Sequence, residues 1–339
     1  MKATIKDVAH EAKVSVASVS RALNGVGGVT AATEKRVREA AARLRYMPHG
    51  AARSLITRRT NTIGALLPDL HGEFFSELIR GIDQQARLHG LQLLVSSSHD
   101  GLDDAASALR AMQGRVDGIV ILSPRLDARF LKANLPEDLP AVLLNSPVTG
   151  AQHAVLNIDN FAGTHAMVRH LLGVGHRRIA FIAGPPDNYD AQQREAGFRG
   201  AMAELGHDGS PVVVAGDFSE RAGYEAGRKL LKAKLRPQAI FAANDMMAVG
   251  CLQALKDAGL DVPQDIALAG FDDIPISRYV SPALSTVRVR IAELGRSAMG
   301  LLSEMIARPG TAVGAVHLLG CDIVVRDSCG AHAIGSVHR

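Results

Sequence analysis

Ser15, Ser18 and Ser20 set three short hydroxyls around one long cation, Arg21. Short hydroxyls suit contacts to phosphate oxygens, and a guanidinium can hold guanine O6 and N7 through paired hydrogen bonds. Val16 and Ala17 offer no hydrogen bonds, so against a base edge they meet only thymine methyls or groove shape. The chemistry open to this stretch is recognition of a polyanion.

The elements that must carry it are legible in the spacing. Ile5, Val8, Ala9 and Ala12 fall at i, i+3, i+4 and i+7, one apolar stripe on a short helix. Lys13-Val14 breaks the pattern, and Ser15 can cap a second helix on which Val16, Val19 and Leu23 share one side. Two short helices joined by such a turn predict a helix-turn-helix, whose second helix can enter a major groove. A glycine-bearing loop follows from Gly25 to Val29. Thr30 is a good N-cap with Glu34 in the first turn, and the third helix runs through Val37, Ala40, Ala41 and Leu44. Tyr46 is expected to pack back on the bundle, and Pro48 stops the helix. From His49 to Thr60 the chain reads as a linker that is marginal alone and becomes helical when docked on DNA or a partner chain.

Charge separates this head from the rest. Residues 1–60 hold 12 Lys/Arg against 4 Asp/Glu, and the remainder holds 26 against 30. A basic head on a mildly acidic body implies that the head alone meets the polyanion. From Thr62 onward short apolar runs alternate with amphipathic helices. Strands are expected at Thr62–Pro68, Leu91–Ser96, Gly118–Leu122 and Ala141–Asn145, then near 179–183, 212–215, 239–242, 266–270, 285–289, 316–319 and 323–326. That alternation predicts parallel sheets flanked by helices, with too many strands for one sheet and hence two similar lobes. Ligands of such sheets sit beyond the carboxyl ends of the strands, here in a cleft between lobes.

Several classes are argued against. Cys251, Cys321 and Cys329 have no disulfide-framework or metal-ligand spacing, which fits a reducing compartment. No secretory leader and no apolar run of about 18 residues is found, so a cytoplasmic, nucleoid-associated protein without a membrane partner is expected. His10-Glu11-Ala12-Lys13-Val14 lacks the second histidine of a zinc-protease motif. Gly173-Val174-Gly175 follows a helix and precedes a strand, the wrong order for dinucleotide binding. No G-x-S-x-G elbow occurs. No enzyme activity, metal or cofactor is expected.

Ala3-Thr4-Ile5-Lys6-Asp7-Val8-Ala9, Val14 to Asn24, and Tyr46-Met47-Pro48 resemble the head of the lactose/galactose repressor (LacI/GalR) family, and Ala52-Arg53-Ser54-Leu55 resembles its hinge helix. Arg194-Glu195-Ala196-Gly197-Phe198, Ala243-Asn244-Asp245, Gly270-Phe271-Asp272-Asp273 and Tyr279 to Val287 continue the resemblance, which runs from Thr4 to Arg326. It implies an all-α helix-turn-helix DNA-binding head and a two-lobed, periplasmic-binding-protein-like α/β body with parallel sheets. The function implied is that of a homodimeric repressor binding a pseudo-palindromic operator in double-stranded DNA, controlled by a small effector between the lobes. Val16, Ala17 and Arg21 match base-reading positions. Thr4, Ser15, Ser18, Ser20, Asn24, Thr30 and Thr33 match phosphate-holding positions. Ala52 and Leu55 match DNA-contacting hinge positions, with Leu55 as the wedge in the minor groove. Gly27-Gly28 stand where some members place a DNA-touching side chain, and Gly50 weakens the hinge helix.

In the family the effector pocket takes an Arg, an Asn and an Asp that match Arg194, Asn244 and Asp272 here; together they suit vicinal hydroxyls. Phe74, Phe75 and Phe218 match pocket-lining positions, Asn188 and Asp190 the variable loop, and Asn145 a position where several sugar-responsive relatives carry Asp. The resemblance points first to a sugar or sugar derivative from carbohydrate uptake or catabolism, second to a nucleobase. A sugar-binding protein without a regulatory role would leave residues 1–60 unexplained. The organisation expected is a DNA-binding domain at 1–47, a hinge at 48–60 and an effector-binding and dimerisation body at 61–326. Its N-lobe would be 61–160 plus 291–319, and its C-lobe 161–290 plus 320–326. The stretch 327–339, with two glycines and none of the leucine heptads that make some relatives tetramers, is expected to be a disordered tail on a dimer.

Overall fold

The structure is a computed structural model that describes residues 3–24, 27–46, 59–99, 101–122, 124–148, 153–204, 211–311 and 314–331. The hinge expectation, with Ala52 and Leu55, lies outside the described residues.

The head packs α1 (Ile5–Ala12), α2 (Val16–Asn24) and α3 (Ala31–Arg43) around Val8, Ala9, Ala12, Val19, Ala22, Val37, Ala40 and Ala41. Tyr46 packs on this cluster. The apolar stripe of α1 is the one the spacing predicts. On α2 the core side is instead Val19, Ala22 and Leu23, while Val16 is 42% exposed. At about 100° per residue, Val16, Ser20, Ala17 and Arg21 fit within roughly 140° of the helix, opposite the core side.

The body begins with β1 (Thr62–Leu67), followed by α4 (Glu73–Leu88), β2 (Gln92–Ser97), α5 (Leu102–Met112), β3 (Ile119–Leu122), α6 (Ala128–Asn134), β4 (Ala141–Leu144) and β5 (Ala154–Ile158). Then come α7 (Asn160–Gly173), β6 (Ile179–Ile182), α8 (Tyr189–Ala203), β7 (Val212–Val214), α9 (Glu220–Leu231), β8 (Ala239–Ala242), α10 (Asp245–Asp257) and β9 (Ala267–Asp272). The chain closes with β10 (Ser285–Arg288), α11 (Ile291–Ala307), β11 (Val316–Leu319) and β12 (Asp322–Val324). One sheet has the order β11-β5-β4-β3-β1-β2 and the other β12-β10-β9-β8-β6-β7. From β11 to β1 in the first sheet and from β10 to β7 in the second, neighbours run parallel, as Gly64↔Ile119 and Ile179↔Ala239 illustrate, while β10 and β12 pair antiparallel. β5 and α6 are additions to the expected elements. β5 hides Asn157 in an apolar run, and that side chain is satisfied by the Ser146 backbone of the next strand's end.

Burial explains the assignments. The central strands β3, β4, β6 and β8 are buried throughout, as continuous apolar runs covered on both faces must be. Glycines let helices touch: a Cβ on Gly81 or Gly295 would collide with the backbone across the α4–α11 contact, and one on Gly223 or Gly250 would do so between α9 and α10.

The tail expectation needs correction at its start. Asp327–Cys329 form a 3-10 turn in which Ser328 and Cys329 are fully buried. Ser328 Oγ donates to Leu268 O at 2.6 Å and accepts from Ser285 N at 2.8 Å, while His176 Nε2 meets Cys329 O at 3.0 Å. Residues 327–331 therefore finish the second lobe, because a small side chain there bonds to the backbone of β9 and β10. Residues 332–339 lie outside the described residues.

Candidate functional site

In the head, local hydrogen bonds fix the helix starts. Asp7 accepts from Thr4 N at 2.7 Å and Thr4 Oγ1 at 2.8 Å. These bonds, the backbone one foremost, hold the Asp7 carboxyl below its usual range. Ser15 Oγ accepts from Ser18 N at 3.1 Å and lies 2.9 Å from Ser18 Oγ. Thr30 caps α3 by accepting from Thr33 N, and its hydroxyl donates to Thr33 Oγ1 at 3.0 Å. Unlike α1 and α3, α2 has no acid in its first turn to offset its helix dipole, so an anion is favoured there. Val16, Ala17 and Arg21 are exposed, and Ser20 is half-buried beside them. Gly28, with φ of +77°, lies against the Arg21 side chain. The structure thus gathers Val16, Ala17, Ser20 and Arg21 on one exposed arc and puts Thr4, Ser15 and Thr30 at helix starts.

The second site lies between the two lobes. Both sheets reverse their strand order beside β1/β3 and β6/β8, and crevices open at the carboxyl ends of such strands. A cavity of about 260 Å³ occurs there, lined by segments following β1, β3, β6, β7, β8 and β9. Phe74, Phe75, Asn188, Asp190, Arg194, Phe218, Asn244 and Asp272 all line it. Asn145 does not.

A chain of buried polar groups crosses the cavity floor. Asn160 Nδ2 donates to Asp190 Oδ1 at 2.8 Å, and Arg194 Nε donates to Asn160 Oδ1 at 2.8 Å. Arg194 Nη1 donates to Ala243 O at 2.6 Å, and Nη2 pairs with Asp272 Oδ1 at 3.1 Å. The guanidinium sits 3.8 Å over the Phe271 ring, which fixes its plane. The Arg194–Asp272 approach lacks hydrogen-bond geometry, so buried Asp272 Oδ1 has no hydrogen-bond donor among the described residues. Burial pushes Asp190 and Asp272 up to about 6 each, against the opposing pull of Arg194. Behind them Asp245, fully buried, accepts from Thr286 Oγ1 at 2.6 Å and Ile274 N at 3.0 Å; burial, reinforced by Asp272, raises it well above the carboxylate range.

Asp272 and Asp273 have φ of 113° and 56°, a left-handed pair that non-glycine residues adopt only under constraint. The turn sends consecutive carboxylates apart. Asp272 goes to Arg194, whereas Asp273 pairs with Arg288 at 2.6 Å and with Arg326. Burial opposes ionisation of Asp273, but the Arg326 and Arg288 bonds prevail and hold it below its usual value.

Two expected ligand groups also serve the fold. Asn244 caps α10 by accepting from Met247 N and donates to Phe218 O at 2.9 Å; Asn188 caps α8 by accepting from Ala191 N. Asn145 lies beneath the cavity, its Oδ1 accepting from Ile158 N at 3.2 Å. Its Nδ2 is near enough to favour the Asp190 anion yet makes no hydrogen bond of ordinary geometry. It is removed from the lining because it ends β4 against β5. Asp159 caps α7.

Sequence reasoning missed Asn160, which joins Asp190 to Arg194 with partners 30 and 34 residues away and no local signal. It also missed the lining carboxylates Asp69, Glu73, Asp217 and Glu220. Glu73 Oε2 accepts from Ile276 N at 2.8 Å, and Arg125 pairs with Asp187 at 3.0 Å; each contact joins one lobe to the other. No group of acidic, histidine and cysteine residues suited to a metal occurs among the described residues, and none of their helices is long and apolar enough to cross a membrane.

Comparison with known proteins agrees with this architecture. Residues 4–49 match the family described as bacterial regulatory proteins, lacI family, and residues 168–329 match a periplasmic binding protein-like domain. The chain is 35% identical to the HTH-type transcriptional repressor CytR of Escherichia coli K12, over 96% of each protein. It is 36% identical to the ribose operon repressor of the same organism, over 91% of this chain and 94% of that protein. Its fold matches the lac repressor dimer bound to operator and the anti-inducer ONPF with a TM-score of 0.87 and 29% identity, covering 97% of this chain and 99% of that one. With an exposed reading helix in the head, two α/β lobes in the body, and likeness to repressors over nearly its full length, the chain is a DNA-binding transcriptional regulator that belongs to the LacI family.

Proposed function

We propose that the protein represses carbohydrate uptake or catabolism genes in the cytoplasm, binding a pseudo-palindromic operator as a homodimer and responding to an uncharged sugar or sugar derivative. Arg21 reads a guanine, Val16 and Ala17 meet methyl groups or groove shape, and Thr4, Ser15, Ser18, Ser20, Asn24, Thr30 and Thr33 hold phosphates. Ala52 and Leu55 contact the minor groove. The effector shifts the balance between two lobe arrangements that differ in operator affinity.

The observation that carries the effector reading is the buried Asp190–Asn160–Arg194–Asp272 chain beside Phe74, Phe75 and Phe218. Carboxylates accept from vicinal hydroxyls, Arg194 donates to them, and a phenyl face suits the apolar side of a pyranose. Six carboxylates line the cavity against Arg125 and Arg194, so an anionic effector is disfavoured by repulsion. The ribose operon repressor, whose name points to a sugar, is consistent with this class. Titrating a labelled operator complex with neutral sugars, phosphosugars and nucleobases tests it. A neutral sugar should change operator affinity; a response confined to phosphorylated or carboxylated compounds would overturn the proposal.

A further inference from the structure

A second groove, of about 440 Å³, lies on the other side of the Asp272–Asp273 turn. Its charge is the reverse of the effector cavity's. Arg80, Arg278, Arg288, Arg290 and Arg296 line it against only Glu77, Asp273 and Glu293. This concentration of cations stands out in a body whose acids outnumber its bases, 30 against 26 over residues 61–339.

The arginines come from both lobes. Arg80 on α4, Arg290 before α11 and Arg296 on α11 belong to elements packed on the first lobe; Arg278 and Arg288 belong to the second. Asp273 occupies only part of the donor capacity of its neighbours: it meets Arg288 at 2.6 Å and Arg278 at 3.5 Å, and each guanidinium has five N–H donors. Arg80 pairs with Glu77, and Arg290 with Asp322 at 2.8 Å. Arg296 is exposed and makes no ion pair among the described residues. The start of α11 also faces this groove through Ile291, Ala292 and Glu293, and no side chain caps it. Its dipole adds to the arginine field. Tyr279, 79% exposed, supplies an aromatic wall.

We propose that this groove is a second ligand site, distinct from the effector cavity, that takes a small phosphorylated anion. Guanidinium pairs match phosphoryl oxygens bidentately, and a concave site with arginines on several sides favours two or more negative charges over one. Because the donors come from both lobes, the anion binds best to one lobe arrangement and biases the regulator toward it.

The test is calorimetric titration of the full-length protein with pyrophosphate at low ionic strength. Saturable binding is expected. Arg278→Gln with Arg296→Gln should weaken it tenfold or more, while Arg36→Gln with Arg38→Gln, an equal charge change on the head, should leave it unaltered. Urea unfolding of both double variants checks that each remains folded. ATP and mannose 6-phosphate in place of pyrophosphate separate a nucleotide from a phosphosugar, whichever binds more tightly naming the source. Absence of saturable binding, as when a second copy of the chain fills the groove, would overturn the proposal, as would equal weakening by both double variants.

Discussion

Head and cleft treat their polar side chains in opposite ways. In the head Thr4 bonds to Asp7, Ser15 to Ser18 and Thr30 to Thr33, all three residues apart and all exposed. In the cleft Asn160 reaches Asp190 across 30 residues, Arg194 reaches Asn160 across 34 and Ala243 across 49, and all are buried. An exposed local hydroxyl can exchange its partner for a phosphate oxygen at little cost to the fold. A buried network cannot be altered without disturbing the groups left behind. Recognition in the head is therefore separable from stability, whereas in the cleft the two are fused.

Arg194→Ala tests the fused half and carries the largest expected effect. It strips Asp190 and Asp272 of their cation and leaves Asn160 Oδ1 and Ala243 O without a donor. Removing one partner of a buried ion pair costs about 3–5 kcal/mol, which urea unfolding followed by circular dichroism would register. Adding Asp272→Asn should restore part of the loss, since the stranded charge is a large part of the penalty. Effector response should vanish in both variants.

Arg21→Ala tests the separable half. Arg21 is exposed and on the non-core side of α2, so unfolding should shift by no more than about 0.5 kcal/mol. Operator discrimination at one base pair should fall by about 1–3 kcal/mol, with little loss in binding to non-cognate DNA. Selection of binding sites from a random pool measures this. Equal loss at every position would reduce Arg21 to a phosphate contact.

The same contrast decides what could be read from the chain. Ile5, Val8, Ala9 and Ala12 form a stripe because helix period and core face coincide within eight residues, and the caps at Ser15 and Thr30 lie next to the helices they start. The same period puts Val16 on one side with Val19 and Leu23, yet Val16 is exposed, because it begins α2 where the bundle does not cover it. In the body, alternating apolar runs revealed the sheets, and family likeness supplied Arg194 and Asp272. Asn160 could not be found, because its partners belong to α8, which follows the next strand. Ser328 and Cys329 were hidden likewise: nothing near them in sequence shows that β9 and β10 await their bonds.

Acid should act on the two regions with opposite sign. Asp190 and Asp272 titrate at about 6 in the fold, above the ordinary 3.8, so the folded body holds their protons longer than the unfolded chain. Their contribution to stability is present below about pH 4 and falls as pH rises toward 6. Asp7 is lowered, so its contribution is present above about pH 4 and lost as pH falls through its folded value. Effector affinity should move against body stability. A carboxylate with a pKa of about 6 is about fourfold less ionised at pH 5.5 than at pH 7.5, so affinity should drop about fourfold for each carboxylate the ligand requires ionised. Titrations at those two pH values measure it; an affinity that rises on acidification would mean that the ligand needs Asp190 or Asp272 protonated.

The smallest effect belongs to the contacts between the lobes. Arg125 and Asp187 form an ion pair whose side chains are 28% and 63% exposed, so water screens it as it does the bonds of the head. Such a pair contributes about 0.2–1 kcal/mol, too little to show clearly in unfolding. Its position makes it matter to the ligand, because separation of Arg125 from Asp187 opens the cavity that both flank. Arg125→Gln should leave the unfolding midpoint nearly unchanged and speed effector release up to about fivefold, the rate equivalent of about 1 kcal/mol, as read by stopped-flow fluorescence. Operator discrimination should be untouched, since that property resides in the head. If Arg125→Gln destabilised the body as Arg194→Ala does, the pair would belong to the buried network rather than to its rim. The division between exchangeable and fused polar contacts would then follow the boundary between head and body instead of exposure to water.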